Sequence, residues 1–203
     1  MDSFDVLIIG GSAAGLSSAL ILGSALDKPF GIDKKVGIIT HQKSAALQNA
    51  ELNNVLGFNK GTKGNEILKD GLIQLSETYP EVIQIAKEKV IKIEGNYPSF
   101  TVVTNKNSYQ TKEIIVAVGP SNLFNIEGLM QYVIPHKAIP AVKEKIMLKN
   151  NNHIVTEGIY VAGVLAGWRS QYAIAAGSGA QVATDILTLW NDGNQTMIHD
   201  AIK

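Results

Sequence analysis

The sequence predicts an α/β fold built on a parallel central sheet. Two apolar runs, 6–9 and 114–118, are rich in β-branched residues and have no polar face, as expected of strands buried on both sides. A glycine-rich turn follows the first run, and a segment with helical character, 14–26, follows the turn. A strand, a glycine-rich turn and a helix in this order are typical of Rossmann-like nucleotide-binding domains.

The glycine-rich turn is the first candidate site. Residues 10–15 read Gly-Gly-Ser-Ala-Ala-Gly and match the dinucleotide-binding pattern G-x-G-x-x-G, with Ser12 in place of the second glycine. Glycine lets the main chain turn sharply and approach a pyrophosphate, which would lie on the free N–H groups of the following helix. Ser12 reduces that closeness but adds a hydroxyl donor. The candidate contacts are Gly10, Ser12, Ala13, Ala14 and Gly15, and a merely structural turn is the alternative.

Length and composition limit the classes of function. At 203 residues the chain is long enough for one domain, 1–203, and too short for two full Rossmann domains. Its 18 lysines and arginines balance its 18 aspartates and glutamates, which argues against binding to nucleic acid and against a polybasic membrane anchor. No apolar stretch approaches the roughly 18 residues of a membrane span, and the N-terminus lacks a basic leader, so the expected location is the cytoplasm. The absence of cysteine excludes thiolate chemistry by these residues.

The predicted second strand, 36–39, ends without the carboxylate that usually holds the ribose in a dinucleotide fold. Thr40, His41 and Gln42 stand at its tip instead. Thr40 and His41 are candidates for a neutral and weaker ribose contact, although His41 is as readily explained as a surface residue.

The rest of the chain predicts a second helix, a meander and the end of the sheet. Segment 44–56 is a candidate loop over a ligand, and Asn65 is expected to cap a helix that ends before Pro80. Short strands joined by tight turns are predicted at 82–85, 89–94, 100–104 and 108–112, a β-meander inserted into the parallel sheet. The later elements are an irregular segment at 121–152, a short helix within it at 141–147, a strand at 158–163 and a helix at 172–190.

Four separated segments carry a resemblance to a known family. They are the turn at 10–15, the run Leu-Asn-Asn-Val-Leu-Gly-Phe at 52–58, the strand at 114–119, and 158–163 with 173–179. In this order they resemble the flavin domain of thioredoxin-reductase-like flavoproteins, which are FAD-dependent pyridine nucleotide-disulfide oxidoreductases. The resemblance implies a single Rossmann-like FAD-binding domain with FAD as its cofactor.

The resemblance also implies where FAD binds. The glycine turn would hold the pyrophosphate, the main chain near Val90 would meet the adenine, and Asn54 would approach the isoalloxazine ring. The last helix would point its N-terminus, with Gln171 and Tyr172, at the flavin pyrimidine, where a helix N-terminus stabilises the negative charge of a reduced flavin. The remaining candidate contacts are Ala117, Gly119, Gly163 and Val164.

Three departures from the family pattern bear on function. Val164 stands where the family has the aspartate that holds the ribityl chain, and Thr40 takes the place of the acidic ribose holder. About 40 residues separate the strands at 114–118 and 158–163, too few for the family's NADPH domain with its Cys-x-x-Cys motif. We therefore expect no NADPH domain and no NADPH-to-disulfide activity in these residues.

Three functions follow from these patterns. The first is an FAD-binding flavoprotein of the oxidoreductase class, reduced by an external donor or a partner, with FAD held reversibly at on the order of micromolar affinity. The second is a degenerate scaffold with weak or no flavin binding that acts as a binding or regulatory module. The third is an enzyme that uses an adenine nucleotide other than FAD.

Segment 120–139 is expected to expose an apolar surface once the NADPH domain is absent. A homo-oligomer or a protein redox partner would cover that surface. Its apolar members are Leu123, Phe124, Ile126, Leu129, Met130, Tyr132 and Val133.

The remaining candidate residues are predicted to have no functional role, or two interpretations of them stay open. His136, Lys137 and Arg169 are predicted to be solvated loop residues, and His153 and His199 to lie at the surface. Trp168 is equally compatible with stacking on a cofactor and with no role. Gly163, Gly177 and Gly179 either allow a flavin to approach or let the last helix pack. No spacing indicates a metal site or a nucleophile with its base, so catalytic residues stay unassigned.

Overall fold

The structure is a computed structural model that describes residues 2–41, 45–196 and 198. The predictions that involve Gln42, the start of segment 44–56 and His199 lie outside the described residues.

Twelve strands and three α-helices make up the described fold. The strands are β1 Ser3–Ile9, β2 Val36–Thr40, β3 Glu51–Leu52, β4 Thr62–Lys63, β5 Ile83–Ala86, β6 Val90–Asn96, β7 Ser99–Thr104, β8 Ser108–Val116, β9 Val133–Pro135, β10 Ile146–Leu148, β11 Ile154–Thr156 and β12 Ile159–Val161. The helices are α1 Ala13–Gly23, α2 Gly64–Thr78 and α3 Tyr172–Trp190.

The central sheet has the order β11-β12-β8-β1-β2-β5, and all neighbours except β11 and β12 run parallel. β6 and β7 form an antiparallel extension that joins the sheet through β8. The predicted α/β class, with a mostly parallel sheet and an inserted meander, is confirmed. The placement of 82–85 in the meander is wrong, because β5 pairs in parallel with β2 at the edge of the central sheet.

β8 is one strand where the sequence predicts two. One of its edges pairs with β1 along nearly its whole length, from Gln110 to Val116. Its other edge pairs with β7 up to Thr111 and with β12 from Ile114 onward. The meander and the parallel sheet therefore share this one continuous strand.

Alternating side chains of the sheet build two cores, one on each face. Leu7, Ile114 and Val116 face the core on the meander side. Ile8 and Ile115 face the other core, where α1 and α3 pack. Both faces are covered, as the continuous apolar runs predict.

The predicted cap at Asn65 is wrong. α2 begins at Gly64 with Lys63 as its N-cap, so Asn65 lies inside the first turn. A Cβ atom on Gly64 would lie 1.8 Å from the carbonyl oxygen of Leu47, and the Gly64 N–H donates to Ala50 O at 2.8 Å. This close approach to the preceding loop fixes where the helix starts.

The predicted helix at 141–147 is also wrong. Only Ala141–Lys143 forms a 3-10 turn, and Glu144 then adopts a left-handed conformation with φ of 47°. The following residues form β10, which pairs with β9 in an antiparallel hairpin. Residues 117–158, all of them described, hold this hairpin and β11 but no second parallel sheet.

The expected apolar surface at 120–139 is mostly buried, so that prediction is wrong. Phe124, Ile126 and Leu129 belong to the core on the meander side. The segment docks on the edge of β6, where Glu127 N donates to Ile91 O at 2.9 Å and Glu127 O accepts from Ile93 N at 2.8 Å. The segment itself thus covers the meander. Of its large apolar residues, Leu123, Met130 and Ile134 are exposed.

The described helices include none that combines the length and apolar character needed to cross a membrane.

Candidate functional site

A cleft lies over the carboxyl ends of β1 and β8, where parallel α/β sheets bind ligands. It consists of two adjoining cavities with volumes of about 370 and 490 Å³. We name the first the meander-side cavity and the second the helix-side cavity. The residues that line both are Ser12, Ala45, Ala117, Val118 and Gly119.

The glycine turn separates the two cavities. Gly10 has φ of +114°, and a Cβ atom there would lie 2.6 Å from Ala117 O. A Cβ atom on Gly15 would lie 1.8 Å from Gly10 O. Both positions therefore need glycine, one for backbone conformation and close approach and the other for the packing of α1 on the turn.

The N-terminus of α1 opens into the cleft. Ser12 is the N-cap, and its hydroxyl makes no capping hydrogen bond to the helix. Ala13 and Ala14 follow it in the wall of the helix-side cavity. The N-terminus of this 11-residue helix places partial positive charge at the centre of the cleft, where it favours an anion.

The N-terminus of α3 borders the helix-side cavity and is already capped. The side-chain oxygen of Gln171 accepts from Ala173 N at 2.7 Å and from Ile174 N at 3.2 Å. The ring of Tyr172, at the first helical position, packs edge-on against Phe58 at 5.1 Å between centroids. Ser170, Gln171 and Tyr172 together line this end of the cavity.

The structure gathers most of the predicted contacts in the cleft. The residues that line it are Gly10, Ser12, Ala13, Ala14, His41, Asn54, Val90, Ala117, Gly119, Gly163, Val164, Gln171 and Tyr172. Gly15 and Thr40 line neither cavity. Thr40 is buried behind the wall, and its carbonyl accepts from Lys87 N at 2.7 Å.

The three late glycines differ in surroundings. A Cβ atom on Gly179 would lie 2.0 Å from Ala14 O, and one on Gly163 would lie 3.0 Å from Ala14 Cβ. Gly179 therefore lets α3 pack closely on α1, and Gly163 lets the turn that follows β12 approach α1. Gly177 is exposed, with nothing within 4 Å of such an atom.

Residues 4–180 match the sequence profile of the pyridine nucleotide-disulphide oxidoreductases. The chain belongs to this family. A curated relative, the uncharacterized oxidoreductase CzcO of Bacillus velezensis, is 26% identical over 146 residues. That match covers 66% of this chain and 41% of the relative, so the chain spans less than half of the relative's length.

Solved structures of the same fold include two thioredoxin reductases. The one from Gloeobacter violaceus has a TM-score of 0.72 and 15% identity, over 100% of this chain and 99% of that chain. A ferredoxin-flavin thioredoxin reductase from Clostridium acetobutylicum has a TM-score of 0.70 and 17% identity, over 95% and 99%. An oxidoreductase from Agrobacterium tumefaciens has a TM-score of 0.69 and 17% identity, over 92% and 99%. At these identities the likeness shows the fold.

The prediction that His136 is a solvated residue is wrong. The ring is buried, its Nδ1 accepts from Ala138 N at 3.1 Å, and its Nε2 donates to Val164 O at 2.9 Å. These partners require the neutral ring with its proton on Nε2. His136 thus holds the main chain of Val164, a residue of the helix-side cavity.

The prediction that His153 lies at the surface is wrong as well. It is buried, and its Nδ1 lies 2.8 Å from Val161 O. Its ring packs beside Trp168 at 5.9 Å between centroids. Trp168 is half-exposed beneath Lys137 and lines neither cavity, which argues against the stacking role. Lys137 and Arg169 are exposed, as predicted.

Glu88 is the residue of this region that sequence reasoning missed. It belongs to the wall of the meander-side cavity and is only 6% exposed. Its carboxylate accepts from Thr104 Oγ1 at 2.6 Å, from Asn107 Nδ2 at 2.6 Å and from the Tyr109 hydroxyl at 3.1 Å. Burial by itself raises the pKa of Glu88, but the three hydrogen bonds outweigh it and hold the pKa below its ordinary value.

No metal site accompanies these groups: the part of the chain that the structure describes holds no cluster of three His, Asp or Glu side chains suited to an ion.

Proposed function

We propose that this chain binds FAD along the cleft and acts as the flavin-carrying part of an oxidoreductase. The observation that carries this proposal is the pair of cavities joined at the glycine turn. A dinucleotide needs an anion site between two planar ring sites. The cleft offers that arrangement, with the α1 N-terminus in the middle.

The residues of the cleft fit FAD in three ways. The turn presents only the small residues glycine, serine and alanine to the cleft, and a Cβ atom on Gly119 would meet nothing within 4 Å, so a pyrophosphate has room there. The helix-side cavity has apolar walls at Leu52, Val55 and Val118, which suit an isoalloxazine ring. Val90 lines the meander-side cavity, where it would contact the adenosine half.

Different residues of the cleft would bind different parts of FAD. The N-terminus of α1 would hold the pyrophosphate, and Asn54 and Tyr172 would border the ring. The N-terminus of α3 would stabilise the negative charge of the reduced ring, although Gln171 already occupies two of its N–H groups. The flavin, when bound, supplies the redox chemistry.

An external donor is part of the proposal. The sequence has no cysteine, and residues 117–158 hold no second parallel sheet that could bind a nicotinamide nucleotide. One protein of the same fold is a ferredoxin-flavin thioredoxin reductase. An electron-carrier protein is therefore a donor class compatible with this fold.

A second candidate is a scaffold that has lost tight flavin binding. Val164 and Thr40 favour it, because neither supplies the carboxylate that the family uses at that position and Thr40 does not reach the cleft. Each lost charged hydrogen bond costs about 1.5–3 kcal/mol, so even the FAD-binding proposal predicts an affinity only on the order of micromolar.

Titration of the purified chain with FAD, followed by quenching of flavin fluorescence, tests the proposal. We expect saturable one-to-one binding with a Kd on the order of micromolar. Binding of ADP without binding of FAD would favour a different adenine nucleotide, and binding of neither would favour the degenerate scaffold.

A further inference from the structure

The loop between β5 and β6 forms one wall of the meander-side cavity, and its main chain is held from two sides. Lys87 N donates to Thr40 O at the tip of β2 at 2.7 Å. Lys89 N donates to Asn105 Oδ1 at 2.8 Å, and Lys89 O accepts from Asn105 N at 2.9 Å. Lys87 adopts a left-handed conformation with φ of 61°, which an ordinary residue keeps only where its surroundings impose it.

The side chain of Glu88 adds hydrogen bonds that join this loop to the β7–β8 hairpin. We call this set of hydrogen bonds the Glu88 clamp. Oε2 accepts from Thr104 and Tyr109, and Oε1 accepts from Asn107. Thr104 Oγ1 in turn accepts from the N–H groups of Lys106 and Asn107, at 3.1 and 2.9 Å. The loop and the turn of the β7–β8 hairpin are thus joined by one network with a buried carboxylate at its centre.

We propose that Glu88 is a positioning residue for the adenosine half of the ligand. Its carboxylate fixes the main chain at 87–90 as a preformed wall against which the adenosine half packs. This role rests on the proposed function, in which the cleft takes an adenine dinucleotide. It supplies, from the loop that adjoins the tip of β2, an ordering carboxylate that the tip of β2 lacks.

The chemistry of the Glu88 carboxylate favours this role over one in which it only stabilises the β7–β8 hairpin. A carboxylate is an acceptor-only group that can bind three donors at once, which an amide or a hydroxyl cannot do. Burying it is costly without those donors, so the arrangement makes the loop and the hairpin order together. The residues whose main chain this ordering fixes, Lys89 and Val90, line the cavity.

The inference predicts equal effects on two ligands. FAD and ADP share the adenosine half, so loss of the clamp should weaken both by the same factor. A general loosening of the cleft would instead weaken FAD more than ADP, because FAD also contacts the helix-side cavity.

The test compares Glu88→Gln with Thr101→Val. Thr101 lies in the same hairpin and accepts a hydrogen bond from Gln110 Nε2 at 2.8 Å, but it is no partner of Glu88. Titrations with ADP and with FAD should give a loss of about tenfold in both affinities for Glu88→Gln and no change for Thr101→Val. Tyr109→Phe, which removes one donor, replaces Glu88→Gln if the latter does not fold and should shift both affinities in the same direction.

Three results would overturn the inference: unchanged ADP affinity in Glu88→Gln, a much larger loss for FAD than for ADP, or an equal loss in Thr101→Val. If the natural chain binds ADP but not FAD, the proposed function fails while the ADP titrations still decide the role of Glu88. If it binds neither, both fail.

Discussion

Two buried carboxylates lie in different regions of the molecule, and their surroundings differ in kind. Glu88, behind the cleft, is 6% exposed and has three donors on its two oxygens. Glu113, on β8 beneath the end of α3, is 5% exposed, and its Oε2 has no hydrogen-bond partner among the described residues. Burial alone therefore does not say what a carboxylate does.

The two groups titrate in opposite directions for this reason. The pKa of Glu113 is raised to about 7, by burial first and by the nearby Asp5 second. The pKa of Glu88 is lowered despite its burial. The region at the cleft thus keeps its carboxylate charged and ordered. The carboxyl beneath α3 loses its proton only around neutral pH, and its charge above that pH is destabilising.

The largest effect is expected at the turn of the cleft. Gly15→Val should lower the free energy of unfolding by more than about 4 kcal/mol and abolish FAD binding, because its Cβ atom would meet Gly10 O. Denaturant unfolding and FAD titration check both parts.

Gly177→Ala is the matched control for Gly15→Val. This exposed helical position has open space around it, so alanine should raise stability by about 0.5–1 kcal/mol and leave binding unchanged. A folded Gly15→Val protein that binds FAD normally would show that the nucleotide site lies elsewhere.

Glu113→Gln is expected to stabilise the protein at alkaline pH. The native state keeps a proton that the unfolded state loses, so wild-type stability falls as pH rises from about 4.5 to about 7 and is level above that range. The full difference is about 3 kcal/mol, and Gln removes it because it carries no charge. Unfolding midpoints of both proteins at pH 5 and pH 8 measure the effect. If Glu113→Gln is more stable than wild type by the same amount at pH 5 as at pH 8, the raised pKa of Glu113 is contradicted.

Glu88→Gln should give the opposite dependence. A lowered native pKa means that the carboxylate stabilises the fold above its unfolded value, about 4.5, and that this stabilisation is lost as pH falls through the native pKa. We expect Glu88→Gln to be about 2 kcal/mol less stable than wild type at pH 7, with the gap closing in acid. The same unfolding series at pH 7 and below pH 4 measures it. If Glu88→Gln instead raised the stability of the protein at pH 7, Glu88 would behave like Glu113, and the proposed difference between the two carboxylates would be wrong.

The smallest effect is expected at Val164. An aspartate there should gain a hydrogen bond with the ribityl chain and tighten FAD binding by about tenfold, without changing ADP binding. Val164→Leu, which adds no acceptor, should leave both affinities near those of wild type. Titration of both variants with FAD and with ADP measures these affinities. Equal affinity of Val164→Asp and Val164→Leu for FAD would show that the ribityl chain does not contact residue 164.

The parts of the fold that sequence predicted correctly are those with local signals. The β-branched runs of β1 and β8 and the turn at 10–15 carry their pattern within a few residues, so they located the cleft. The long apolar helix α3 was likewise predicted with its observed bounds.

The errors lie where the partner is distant in sequence. Glu88 sits between two lysines and looks like a solvated charge, since its donors lie 16 to 21 residues further along. His136 and His153 are buried because they meet carbonyls of Val164 and Val161, which only the folded chain brings near. Phe124 and Ile126 are covered because their segment docks on β6. Neither hydropathy nor spacing shows such contacts.

Nuclear magnetic resonance of the ¹⁵N-labelled chain, titrated with ADP and then with FAD, tests the central claim most directly. ADP should shift the amides of the turn at 10–15 and of the loop at 87–90. FAD should shift these and, in addition, Asn54, Gln171 and Tyr172, which line the helix-side cavity alone. Shifts from FAD confined to the ADP set, or shifts that fall outside both cavities, would contradict a flavin bound along the cleft.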